Sequence, residues 1–314
     1  MSRQITPTGP EHLQMPKLRA GMDHDFYAPR DTWSVPRLDF GPDVHLGIWL
    51  QIAIEWFPLD ISGQPFLPIG APARPWPDSE TYTQRDYGNR IGIYRMMDAL
   101  AARGMTASAF LNARVAQRYP ILARYIREAG WDVVAAGLDA GAIHHEGLHE
   151  DTERAMIAEA LSLLRAEGLE PAGWHSPSWS QSTRTPRLLR EAGITAMADW
   201  ANDEAPYAFQ TGTGTIASLP AAFELSDREI LFARQARLAD FEANITAAAR
   251  RLTREAADSG TPRLLCLNLS PWLMGQPFRI AGFERILDML GGIDGARTVQ
   301  VADILAASLD LRNG

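Results

Sequence analysis

Ser270, His175 and a carboxylate from Glu55 or Asp199 supply the residue types that acyl transfer needs. The serine offers an oxygen nucleophile, the histidine a base, and the acid a group that orients the base. Each stands at the end of an apolar run that reads as a strand, so one end of a parallel sheet would gather them. Glu55 closes the run His45–Glu55, where a partly desolvated carboxylate suits general acid or base work. An ion pair with Arg85 or Arg90 is the plainer account of the same residue. His175 precedes Ser176-Pro177, and a hydrogen-bonded structural histidine is its plainer account. Ser270 precedes Pro271, a common way for a strand to end in a turn.

Other residues could shape a pocket around these. Asp199-Trp200-Ala201-Asn202-Asp203 reads as a polar loop over a binding mouth, or as a turn whose Asn and Asp side chains cap backbone amides. Arg85, Trp174, Trp200, Asp203 and Trp272 are candidate substrate contacts. Trp49, Trp56 and Trp179 could join them, although most tryptophans fill core. His144, His145 and His149 form the cluster closest to a metal site. On a helix, His145 and His149 would share a face, but Gly147 interrupts the run and Asp151 looks like the cap of the next helix. A loop is therefore expected there.

The elements that must hold these groups alternate. After the strand His45–Glu55 and a proline-rich loop from Pro58 to Pro77, helical spacing runs from Asp86 to Arg103 and stops at Gly104. Strands are expected at Met105–Leu111, Trp131–Ala136, Ala172–Trp174, Ile194–Ala198, Leu264–Leu269 and Thr298–Val301. Helices are expected from Pro120 to Gly130, Asp151–Glu167, Pro186–Ala192, Leu238–Ala257 and Ile280–Leu290. Such alternation means a parallel sheet with right-handed crossovers, closed or nearly closed into a barrel whose reactive side chains sit where strands end. Residues 1–42 lack a sustained period and read as an extended arm lying on the barrel or on a neighbouring subunit, with Phe26, Tyr27 and Trp33 needing cover. Residues 43–314 form a single domain in this reading, and the arm points to a homo-oligomer.

A net charge of −8 and a pI near 5.4 disfavour nucleic acid and anionic membranes as partners, and leave a small molecule as the expected one. Cys266, the single cysteine, sits inside Leu264-Leu265-Cys266-Leu267, has no partner for an intrachain disulfide and reads as core. The first residues carry no apolar leader, and no apolar run reaches the ~20 residues a bilayer span requires. A cytoplasmic protein is expected.

The ordered set Arg85-Asp86-Tyr87-Gly88-Asn89-Arg90, Gly173-Trp174-His175-Ser176-Pro177, Ser180-Gln181-Ser182, Asp199 to Pro206, Ser218-Leu219-Pro220, Glu224-Leu225-Ser226-Asp227 and Gly275-Gln276-Pro277-Phe278-Arg279 resembles the NodB-type polysaccharide deacetylase superfamily, and within it the allantoinase-like branch. The resemblance covers most of the chain. It implies an α/β fold, an incomplete (β/α)7 barrel, and hydrolysis of amide-type C–N bonds. It also implies a metal held by one carboxylate and two histidines, an aspartate base and a histidine acid. Ile54 and Glu55 stand where paired aspartates would be expected, and Ala136 and Ala140 where the two metal histidines would fall. The base-orienting arginine would fall near His175. Leu269-Ser270-Pro271-Trp272 stands where Leu-His-Pro-Trp would be expected, so Ser270 replaces the acid histidine.

A zinc site wants three or four N, S or O donors, and Glu55 alone is one. The expected activity is therefore a hydrolase of a small amide, cyclic amide or ureide that works with no cofactor or metal. Glu55 and His175 would handle protons, with Ser270 as nucleophile or oxyanion donor and Asp199 and Arg85 near the substrate. A noncatalytic small-molecule-binding protein is the alternative, and a metal site rebuilt from Glu55 and the histidine loop is a third reading.

Overall fold

β1 (Leu46–Ile54) is buried at all nine positions because both of its faces are covered. Leu46, Ile48, Leu50, Ile52 and Ile54 pack into the layer shared with the helices, whereas Trp49 packs with Phe110, Val134 and Leu264 inside the curled sheet. The two-residue period of a strand thus turns Trp49, Gln51 and Ala53 inward, and brings Glu55 to the mouth directly above them.

The computed structural model describes residues 24–27, 38–61 and 64–312. It contains a nine-stranded sheet completed by β2 (Ser108–Leu111), β3 (Asp132–Ala135), β4 (Pro171–Trp174), β5 (Ala196–Met197), β6 (Tyr207–Gln210), β7 (Thr215–Ser218), β8 (Arg263–Leu269) and β9 (Ala296–Thr298). The order is β6-β7-β5-β4-β3-β2-β1-β8, with β9 also on β1. Every pairing is parallel except β6 with β7. Beyond β8 there is one isolated parallel bridge, Ser226 to Asn268, so the barrel is incomplete. No described helix is long and apolar enough to cross a membrane.

Three elements depart from the periodic reading. The strand expected at Thr298–Val301 is β9, Ala296–Thr298, and Val301 instead opens a helix that runs to Ala307. The helix expected from Asp86 begins at Ser79, where Asp78 caps it by accepting from Thr81 N at 3.0 Å, and is interrupted by a π-helical turn at Gly88–Gly92. Gly88 and Gly92 lie against the backbone of 271–275. A Cβ on Gly92 would run into the Pro271 carbonyl oxygen, so only glycine permits this approach. The wider turn also carries Asn89, whose Nδ2 donates to the Glu55 carbonyl at 2.9 Å. The hairpin β6–β7 has no counterpart in the periodic reading, because strands of four residues joined by a glycine-bearing turn give too short a pattern.

Phe26 and Tyr27 pack on Trp200, Tyr207 and Phe209, and Gln210 N donates to the Phe26 carbonyl at 2.7 Å. Trp33 and the remainder of residues 28–37 and 1–23 lie outside the described residues.

Candidate functional site

The inward faces of β1, β2, β3 and β8 and the loops after β3 and β4 line a small, partly open cleft. Its walls are Ala53, Phe110, Ala136, Ala140, Pro177 and Trp179, and its polar groups are Glu55, Asn112, His175, Ser178, Arg228 and Asn268. Ser178 and Trp179 both hold left-handed backbone at φ 60° and 55°, which is strained for residues with side chains. That turn sets the Trp179 ring against His175, with centroids 5.0 Å apart, and beneath the Arg228 guanidinium at 4.9 Å.

Glu55 is held between two arginines. Arg228 Nη1 donates to Oε1 at 2.7 Å, and Arg85 Nε stands 3.7 Å from Oε2, an ion pair too long for a hydrogen bond. Arg85 is fully buried, donates through Nη2 to the Gly70 carbonyl at 2.9 Å and lies 3.7 Å over the Trp272 ring. Burial lowers its pKa to about 10, although the Glu55 charge opposes the shift. Of the two arginines weighed for pairing with Glu55, Arg85 takes part, and Arg90 instead faces Asp86 at 3.5 Å.

His175 is oriented by its own strand ends. Its Nδ1–H donates to the Ala198 carbonyl at 2.8 Å, with Asp199 Oδ1 3.2 Å away. Nε2 has no hydrogen-bond partner among the described residues and is left to the cleft that the ring lines. Asp199 is fixed in turn. It accepts from Ser176 N at 2.6 Å and from Ser176 Oγ at 2.8 Å. The Gln181 amide donates to Asp199 Oδ2 at 3.0 Å and accepts from Trp200 Nε1 at 2.7 Å.

Ser270 belongs to a separate pair. Its N–H donates to Asp227 Oδ2 at 2.7 Å and its hydroxyl to Oδ1 at 2.9 Å, while its carbonyl accepts from Leu273 and Met274 in the following turn. Burial pushes the Asp227 carboxyl up to about 7, outweighing the Ser270 hydrogen bonds and the attraction of Arg228. The sheet order separates β8, which Ser270 follows, from β4, which His175 follows, by β1, β2 and β3. Glu55 and His175 therefore share the cleft, whereas Ser270 and Asp199 stand behind its walls.

Among the other sequence candidates, Trp174 is fully buried and donates to Ser176 Oγ at 3.0 Å. Trp200 joins the aromatic cluster, and Asp203 caps Glu204 and Ala205. Trp272 backs Arg85. Arg228, Asn112 and Asn268 carry no signal in the sequence that marks them as site residues, and Asp227 stands there only inside the motif Glu224-Leu225-Ser226-Asp227. Arg228 and Asp227 follow Ser226, and that stretch has no strand period to reveal which side chains turn inward. The histidine loop is a loop as expected. His144 is buried with Nδ1 3.3 Å from Glu153 Oε1, and Gly147 N donates to His145 Nδ1 at 3.2 Å.

No protein-family model matches the chain. The chain is 20% identical over 240 residues to the Schizosaccharomyces pombe protein named "Putative polysaccharide deacetylase", spanning 71% of this chain and 74% of that one. A crystal structure of a probable polysaccharide deacetylase from Pseudomonas aeruginosa PAO1 superposes with a TM-score of 0.77 at 23% identity, over 89% of this chain and 97% of that chain. The crystal structure of Puue allantoinase superposes at 0.78, again at 23% identity, over 90% and 99%. This is the polysaccharide deacetylase fold.

The metal that the resemblance attaches to the deacetylase fold does not fit the residues present. Glu55, the one carboxylate at the expected place, has a guanidinium beside each oxygen. Ala136 and Ala140 line the cleft with methyl groups that offer no electron pair. Among the described residues no three His, Cys, Asp or Glu side chains converge on a point that could hold an ion. A divalent cation entering here would meet two fixed positive charges before it met a third donor.

Proposed function

We propose that the cleft is a metal-independent hydrolytic site for the C–N bond of a small amide, cyclic amide or ureide. The observation that carries this reading is the tautomer imposed on His175. With Nδ1–H committed to Ala198 O and Asp199, the neutral ring presents the Nε2 lone pair to the cleft. His175 Nε2 takes a proton from water as the water oxygen attacks the carbonyl carbon. The developing oxyanion is stabilised by the positive charge that Arg228 brings to the cleft, and His175 returns the proton to the departing nitrogen as the C–N bond breaks. The products are a carboxylic or carbamic acid and an amine. Attack by Ser270 instead would require its hydroxyl to leave Asp227 and reach His175.

The test is hydrolysis of a panel of small amides, hydantoins and ureides in the presence of strong chelator. Turnover should persist, and His175→Asn should lower it by about 10²-fold or more. Activity that vanishes on chelation and returns with zinc would overturn the reading.

A noncatalytic binding protein is the second reading, favoured by one specific observation. Glu55 is neutralised by Arg85 and Arg228, so the carboxylate that lines the cleft together with His175 is occupied with holding cations in place. Compounds that raise the melting temperature with no product formed would support this alternative.

A further inference from the structure

The polar groups of the cleft are left with unused hydrogen-bonding capacity in a way that specifies its ligand. Arg85 and Arg228 contribute two guanidinium groups around one cleft carboxylate, Glu55. A second acid, Asp227, is fully buried, directs both oxygens at Ser270 and acts on both arginines through its charge. Arg228 itself is only partly used. Nη1 serves Glu55, while Nε and Nη2, the side-on fork of the guanidinium, have no hydrogen-bond partner among the described residues. The residue is 5% exposed, and its plane rests over Trp179. Beside it, the Asn268 side chain lines the same cleft and makes no hydrogen bond among the described residues.

A rigid, nearly buried fork with an aromatic platform and a vacant amide at its side matches a planar anion, because two parallel N–H donors meet two carboxylate oxygens. We infer that the ligand of this cleft carries a carboxylate that seats on the Nε and Nη2 edge of Arg228 beside Asn268. Joined to the hydrolytic reading, on which this last step rests, the substrate class is an N-acyl or N-carbamoyl amino acid. Its carboxylate is held by Arg228 and its amide or ureide carbonyl is turned toward His175.

Matched pairs test the inference by binding alone. N-acetylglycine and N-carbamoylglycine are titrated calorimetrically into the full chain alongside their neutral counterparts, N-acetylglycinamide and N-carbamoylglycinamide. Each acid should bind at least about tenfold tighter than its amide, and the margin should shrink as salt rises. Arg228→Lys keeps the charge beside Glu55 but lacks the fork, and should abolish most of that margin while circular dichroism confirms the fold. Equal or tighter binding of the amides overturns the inference. So does an undiminished preference in a folded Arg228→Lys protein, or no binding by any of the four compounds. Carboxylate preference without turnover would uphold the inference and sink the hydrolytic reading. Turnover of neutral amides without carboxylate preference would do the reverse.

Discussion

Arg228 Nη1 donates to Glu55 Oε1 at 2.7 Å across 173 residues of sequence, tying the π-helical turn Arg228–Ala233 to the end of the first strand. Arg85 approaches the other oxygen of the same carboxylate, so one acid compensates two buried cations.

Removing that acid should be costly. Glu55→Gln keeps the shape but leaves Arg85 and Arg228 facing each other in a poorly solvated mouth. A loss of about 3 kcal/mol is expected, since breaking a buried ion pair by deleting one partner strands the other charge. Urea unfolding of the two proteins measures it, and a change within experimental scatter would show that the cations are solvated.

Asp227 should make stability fall as pH rises. Its folded pKa is raised to about 7 by burial, from an ordinary value of 3.8, so the folded chain binds the extra proton through that window. Stability is then highest below the unfolded value and declines as pH climbs from about 4 to about 7. Asp227→Asn should flatten this limb of the curve. Melting temperature followed against pH in both proteins provides the comparison, and parallel curves would contradict the assignment.

Glu153 should act in the opposite sense. Burial alone would raise its pKa, but hydrogen bonds from His144, Thr185 and Ser182 outweigh that and hold it down to about 2. The group therefore stabilises the fold above its unfolded value of 4.5, and that contribution is lost as pH falls from about 4.5 toward about 2. Glu153→Gln should be less sensitive to acid than the parent across that interval, although weaker at neutral pH. Acid unfolding followed by circular dichroism decides between them.

His175 should carry its neutral-state proton on Nδ1. The Ala198 carbonyl accepts from that nitrogen at 2.8 Å and cannot serve a lone pair. Nitrogen-15 NMR of histidine-labelled protein, with His175→Asn used for assignment, should show Nε2 as the unprotonated nitrogen. A proton on Nε2 would remove the base from the proposed mechanism.

Much of the framework was legible before any coordinates. Continuous apolar runs such as Leu46–Ile54 and Leu264–Leu269 announce strands covered on both faces, and glycines such as Gly104 and Gly130 mark helix ends because they take positive φ. The likeness in short motifs such as Gly173-Trp174-His175-Ser176-Pro177 led to the deacetylase fold that the solved structures show. The short hairpin β6–β7 escaped notice, since four residues carry too little period to stand out.

Residue types and strand ends were therefore set by local order: hydrophobic alternation and turn chemistry act over a few neighbours, and a linear reading captures them. Which carboxylate faces which cation was decided only in three dimensions. The sequence places Ser270, His175, Glu55 and Asp199 at strand ends, yet the fold pairs Ser270 with Asp227, His175 with Asp199, and Glu55 with Arg85 and Arg228. Those partners lie tens to hundreds of residues apart, and their choice follows from barrel curvature and from the need to satisfy every buried charge, neither of which has a signature along the chain.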